Sequence, residues 1–172
     1  MKKLFVQLLT VALLPTLVAC GFQLRGSIDL PAEWKTLHLS TASPNSELSS
    51  ELRAGFEANG IQWVGRAEAA YTLQVGTEIY ERRNLTIGQD AKAAEFELSM
   101  STTLRVIDLE GTEILALTTV KAHKVITNDP ENITGKVEEA RLLRGEMRSS
   151  LVRQIMRRIR FLATGSNSSQ TS

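Results

Sequence analysis

Cys20 is the only cysteine in the 172-residue chain, and it directly follows Leu17-Val18-Ala19. A lone thiol forms no internal disulfide, so its chemistry is that of a single nucleophile open to modification. The two histidines, His38 and His123, stand in no metal-ligand spacing. Glu95 and Glu97 share one side of an alternating segment. They are the residue types of a glycosidase pair, but on a strand such a pair reads first as a solvated face. The chain has no Gly-x-Ser-x-Gly elbow, phosphate-binding loop or dinucleotide fingerprint. The expectation is a protein that is not an enzyme, with no metal and no cofactor, whose distinctive chemistry sits at Cys20.

What precedes Cys20 gives that thiol a context. Lys2 and Lys3 are followed by an apolar run from Leu4 to Leu17, interrupted by Gln7, Thr10, Pro15 and Thr16. A positive start, a short apolar stretch and small residues before a cut site make a secretory signal. The run is shorter than the roughly 20 apolar residues of a membrane-spanning helix, and Pro15 interrupts it. Leu17-Val18-Ala19-Cys20 resembles the lipobox of bacterial lipoproteins. In that class the cysteine sulfur receives a diacylglycerol, the signal is cleaved and the new amino end is acylated, typically with palmitate. Several acyl chains anchor firmly, since each buried CH₂ contributes about 0.8 kcal/mol. Gly21 stands where an Asp retains such proteins in the inner membrane. The expected location is therefore the cell outer membrane, held by lipid on Cys20 and facing the periplasm.

The domains expected are a signal peptide over residues 1–19, an α+β domain over 20–163 and a disordered polar tail over 164–172. Cleavage removes Lys2 and Lys3, leaving 153 residues with 18 Lys and Arg against 19 Asp and Glu. That length suits one domain with a real core. The near-neutral balance gives no mark of a nucleic-acid binder. Charge is concentrated locally instead. Arg141, Arg144, Arg148, Arg153, Arg157, Arg158 and Arg160 are opposed only by Glu146.

Periodicity supplies the elements. Lys35 to Ser40 alternates as a short strand. Ser43-Pro44 reads as a helix start, Leu48, Leu52 and Phe56 form one helix face, and Asn59-Gly60 is a stop. This predicts a first helix over 44–58. Tyr71, Leu73, Val75, Thr77 and Ile79 alternate as a half-buried strand, and the pattern fails over 84–94, which reads as a loop. Phe96, Leu98, Met100, Leu104 and Val106 share one strand face. A tight turn at 108–112 leads to Ile114, Ala116, Thr118 and Val120 on a return strand. Asn128-Asp129-Pro130-Glu131 caps a last helix whose stripe is Val137, Ala140, Met147, Leu151, Ile155, Ile159 and Leu162. The fold class is α+β, a two-layer sandwich with helices on one face of a small sheet.

Taken in order, these features resemble the LPS-assembly lipoprotein LptE (RlpB) family over nearly the whole mature chain. The resemblance rests on Cys20-Gly21-Phe22-Gln23-Leu24-Arg25-Gly26, the strand near Leu37, the Ser-Pro-Asn helix start and Asn59-Gly60. Ala94-Glu95-Phe96-Glu97-Leu98, Asn128-Asp129-Pro130 and the polar tail complete it. It implies a mixed sheet of about four strands packed by two helices. It implies a plug inside the LptD β-barrel that aids barrel assembly, binds lipopolysaccharide and takes part in lipopolysaccharide transport to the outer leaflet. Lys136 matches a basic position that the family uses toward lipopolysaccharide. A second such position falls in the loop after the second strand. Here it matches nearer Gln89, so Lys92, Arg82 and Arg83 are the basic candidates flanking it. Lys and Arg suit the phosphates of that lipid.

Two alternatives stay open. One is a lipoprotein accessory subunit of another envelope machine, pilotin-like. The other is a periplasmic cell-wall hydrolase using Glu95 and Glu97. The arginine-rich last helix also has two readings. Its long side chains cover the core edge as solvated surface, or they face the barrel or acidic lipid headgroups.

Overall fold

The computed structural model describes residues 30–87, 93–127 and 136–166. The expected signal peptide, Cys20, Gln89, Lys92 and Asn128-Asp129-Pro130-Glu131 lie outside the described residues. A 3-10 turn over Ala32–Trp34 leads into β1 (Thr36–Thr41), α1 (Glu47–Glu57), β2 (Gln62–Trp63), β3 (Tyr71–Val75), β4 (Ile79–Ile87), β5 (Ala93–Asp108), β6 (Glu113–Thr127) and α2 (Lys136–Ser166).

Helix α1 begins three residues later than the Ser43-Pro44 reading. The cap is Ser46, whose hydroxyl accepts from the Ser49 amide at 3.2 Å and so satisfies one of the unpaired first-turn donors. The Ser43 carbonyl instead accepts from the Ser49 hydroxyl at 2.7 Å. The predicted stop holds: Gly60 has φ +81°, a left-handed conformation that glycine adopts without steric cost.

All strands join one mixed sheet. β1 pairs in parallel with β2 and β3, whereas β5 pairs antiparallel with β3, β4 and β6. The predicted single strand from Tyr71 to Ile79 is broken. β3 and β4 lie along the same edge of β5, Val75 opposite Leu104 and Ile79 opposite Ser101. Three residues, Gly76 to Glu78, therefore face two, Thr102 and Thr103. This bulge is held by the Gly76 amide donating to the Thr103 carbonyl at 2.9 Å and the Thr102 hydroxyl donating to the Gly76 carbonyl at 2.8 Å. A Cβ at Gly76 would collide with the Thr103 hydroxyl, so any other residue there requires that side chain to turn away. An extra residue reverses which side chains point inward. Ile79 is 54% exposed, while Tyr80 packs against the core.

Counting β3 with β4 as one bent ribbon, and leaving aside two-residue β2, gives the expected four. Strand by strand, the described residues form a sheet of six. The predicted loop over 84–94 is mostly strand as well, with Ile87 opposite Ala93. The cross-strand ladder of β5 outweighs the weak strand propensity of Asn84.

Both helices cover one face of the sheet. Leu37, Leu39, Leu73, Leu98, Met100, Leu104, Val106 and Val120 meet Leu48, Leu52 and Phe56 of α1 and Leu143, Met147, Leu151, Val152, Ile155, Ile159 and Ala163 of α2. Leu151 and Ile155 are fully buried, and each such burial contributes about 2–3 kcal/mol. Within the predicted stripe, Ala140 and Leu162 are half-buried, and Leu143 and Ala163 take the interior positions. Helix α2 continues to Ser166, so Thr164, Gly165 and Ser166 of the predicted polar tail are helical. The remainder of that tail lies outside the described residues.

Candidate functional site

Adjacent residues on a strand point to opposite faces, and this separates the two candidate arginines of β4. Arg82 turns to the helix side, where its guanidinium lies 3.5 Å from the centroid of the Phe96 ring. Phe96 is buried and Arg82 is exposed, so the ring face attracts the cation while the side chain stays open to solvent. Arg83 turns to the open face of the sheet and pairs with Glu97 at 2.6 Å. Its charge is already answered. The same pair occupies one of the two carboxylates of the hydrolase alternative.

Lys136 opens α2. Helix α2 runs antiparallel to β6: Glu146 pairs with Lys124, Gln154 Nε2 donates to the Lys121 carbonyl and Arg158 donates to the Thr118 hydroxyl. Ten residues from Glu146 back to Lys136 span roughly 15 Å of helix. Three residues from Lys124 to Thr127 span roughly 10 Å of strand. The first turn of α2 therefore reaches the end of the sheet where β6 stops and β4 turns into β5. Chain topology brings the Arg82 and Arg83 strand, the two ends flanking Lys92, and Lys136 to this one end.

The sequence reading missed Tyr80 there, and it had Arg144 only as one member of the arginine run. Arg144 of α2 lies over the Tyr80 ring, 4.6 Å from its centroid. With Arg82 on Phe96, this makes two guanidinium-on-ring stacks on the helix side of β4. The alternation of Tyr80 with Arg82 was a usable signal, but only once the bulge had set which face they share. Glu138 and Glu139 stand in the first turn of α2, where carboxylates suit the helix dipole. Glu138 lies 4.0 Å from Arg141.

The middle of α2 is differently occupied. Arg148 donates from Nε and Nη2 to both oxygens of Glu78, at 2.7 and 2.9 Å, and meets Glu47 at 2.6 Å. The hydrogen bonds it donates to Glu78 push its guanidinium above the usual arginine range, against the opposing effect of burial. This arginine ties α2 to the start of α1 and to the bulge. On the other flank, an open groove of about 720 Å³ runs between α2 and β6, lined by Lys124, Arg141, Leu142, Met147 and Arg153 among others.

The histidines have separate surroundings. His38 Nδ1 lies 3.1 Å from the Val64 carbonyl, and His123 is exposed on β6. Among the described residues no three His, Cys, Asp or Glu side chains gather as a metal site, and no helix is long and apolar enough to cross a membrane. What the basic end offers chemically is anion recognition: stacked guanidiniums beside apolar surface, suited to phosphate on an amphiphile.

Comparison with known proteins agrees with the architecture. The LptE family model, described as lipopolysaccharide-assembly, matches residues 34–159. An LPS-assembly lipoprotein LptE from Pectobacterium atrosepticum is 28% identical over 159 residues, covering 91% of this chain and 85% of that protein. One from Photorhabdus laumondii is 27% identical over 153 residues, covering 88% and 82%. The crystal structure of the rare lipoprotein B from Shewanella oneidensis is similar with a TM-score of 0.67 at 25% identity, covering 78% of this chain and 98% of that one. The solution structure of an uncharacterized lipoprotein B from Nitrosomonas europaea has the same fold, with a TM-score of 0.69 at 22% identity, covering 86% and 93%.

Proposed function

This chain belongs to the LptE lipopolysaccharide-assembly family, and from that premise we propose that it is an outer-membrane lipoprotein that plugs the LptD β-barrel and binds lipopolysaccharide during delivery to the outer leaflet. The family match over residues 34–159 carries this reading. Cys20 bears the lipid in it, and the folded domain faces the periplasm and the barrel lumen. Two physical features support it. The sheet face opposite the helices presents Ser99, Ser101, Thr103, Thr119 and Lys121, half-buried or exposed, beside the exposed Ile79 and Val125. The polar centre of this face suits a water-filled lumen rather than lipid. The basic end gathers Arg82, Arg144 and the backbone position of Lys136, which suits the phosphates near the lipid of lipopolysaccharide.

Within this reading Arg82, Lys92 and Lys136 contact those phosphates, and Arg83 contributes less because Glu97 already holds it. Two measurements test it. Mild-detergent capture of the tagged, lipidated protein should recover a large β-barrel in near-stoichiometric amount; recovery of another envelope machine would favour the accessory-subunit alternative. Replacing Lys92 and Lys136 together by Glu should weaken lipopolysaccharide binding about tenfold or more, since each charge-assisted contact contributes roughly 1.5–3 kcal/mol. Unchanged binding would remove the basic end from the mechanism.

A further inference from the structure

The chain enters the fold at Leu30, which is buried and lines a small cavity with Phe56, Ile61, Met156, Ile159 and Arg160. The amino-terminal segment therefore joins the domain beside the last turns of α2. Only ten residues lead from Cys20 to Leu30, and ten residues span at most about 35 Å. A lipid on Cys20 keeps this end of the domain within that distance of a leaflet.

The surface at this end is basic and apolar together. No acidic residue occurs in α2 after Glu146, while Arg153, Arg157 and Arg158 are exposed. No carboxylate among the described residues is paired with Arg157. Phe161 is 77% exposed, and Leu109 and Ile114, 53% and 37% exposed, stand at the β5–β6 turn. Leu115 joins Arg157, Arg158 and Phe161 around one groove, which places that turn beside the helix end. Other carboxylates at this end are on other elements: Glu33, Glu57, Glu110, Asp108, which accepts from the Thr112 amide at 2.7 Å, and Glu113, which pairs with Arg105 at 2.5 Å. Arginines around an exposed aromatic are the composition of a surface that settles at the headgroup level of an anionic membrane.

We propose that the last turns of α2, from Arg153 to Phe161, with Leu109 and Ile114 of the neighbouring turn, dock on anionic phospholipid headgroups of the leaflet that holds the Cys20 lipid. The proposal rests on the lipid-anchor reading above. It fixes an orientation: the Lys136 end of α2, roughly 25–38 Å away along the helix, points away from that leaflet.

The test uses the full lipidated protein in phosphatidylglycerol–phosphatidylethanolamine vesicles carrying a headgroup nitroxide. With Cys20 acylated, Phe161→Cys or Leu142→Cys supplies a unique thiol for a fluorophore. Quenching at position 161 should exceed that at 142 at least threefold. It should fall severalfold in R157E/R158E, because each basic residue near an anionic surface contributes about fivefold to binding, and it should persist in R157K/R158K. Equal quenching at the two positions, or indifference to charge reversal, overturns the docking surface. Mass spectrometry reads the anchor separately. An unmodified Cys20 overturns the anchor and the proposal together, whereas lipidated protein with equal quenching overturns the proposal alone.

Discussion

In the middle of α2, the Arg148 side chain is 12% exposed and two carboxylates hold it, Glu78 through both oxygens. Nine residues on, Arg157 is exposed and pairs with no carboxylate among the described residues. Both are arginines of one helix, in a segment that reads as a uniform basic run. The difference lies in what the other elements bring. Glu47 at the start of α1 and Glu78 in the β3–β4 bulge converge on the middle of α2, whereas at its end the β5–β6 turn brings Leu115 beside Arg157, and the acids of that turn are engaged elsewhere, Glu113 with Arg105 and Asp108 with the Thr112 amide. One arginine therefore organises the fold, and the other is left for something outside it.

The largest expected effect comes from removing the held arginine. Arg148→Met should lower the unfolding free energy by about 2–3 kcal/mol in urea titration, because Glu78 stays largely buried without its partner. A double variant with Glu78→Gln should recover part of the loss. If Arg148→Met costs less than about 0.5 kcal/mol, the contrast between the two regions collapses.

Alkali should separate the regions next. Arg148 has a folded pKa above its unfolded one, so its contribution is complete below the unfolded value and is lost only as pH rises through the folded one, far above neutrality. At the other end, Tyr71 stacks on Trp34 with ring centroids 4.1 Å apart. Burial pushes its hydroxyl above the ordinary value of 10.0, with Glu33 and Asp108 adding to the rise. Its contribution is complete below about pH 10 and is lost as pH climbs through the folded value. Stability should therefore decline above pH 10, and Tyr71→Phe should flatten that decline in pH-dependent urea melts.

Smaller still is the Lys124–Glu146 pair, with side chains 42% and 64% exposed. Glu146→Gln should cost under about 1 kcal/mol and become silent in high salt. Smallest is Arg157→Ala, which should leave stability within roughly 0.5 kcal/mol. A larger loss by thermal melt would show that this arginine too is structural.

Much of the fold was legible because its period was regular. Phe96 to Val106 alternates cleanly, and Leu151, Ile155 and Ile159 recur every four residues, so β5 and the buried stripe of α2 followed directly. The β3–β4 bulge did not. Thr77 and Ile79 continue the odd-numbered alternation of Tyr71, Leu73 and Val75, and nothing local announces the extra residue that reverses it. Gly76 was the one visible hint, and its reason, the Thr103 hydroxyl, lies across the sheet. For the candidate site, the family resemblance pointed to Arg82 and Arg83 together, but cross-strand register decides that one lies over Phe96 and the other pairs with Glu97. Arg148 and Glu78 are 70 residues apart, and no spacing rule connects them.

Strand β5 has a mechanical consequence. It is a single 16-residue strand that pairs with β3 near one end, β4 near the other and β6 along most of its length. At about 3.4 Å per residue it reaches roughly 54 Å, from the end where Leu30 joins the fold to the end where Lys136 begins α2. A protein held by its tether at the first end and by cargo at the second would be loaded along this strand. Antiparallel hydrogen bonds lie across that direction, so they resist in shear, many at once, rather than opening one after another. Strand β5 itself runs unbroken between the two ends, and the register shifts at Leu104 to Ile107 fall in its pairing with β6.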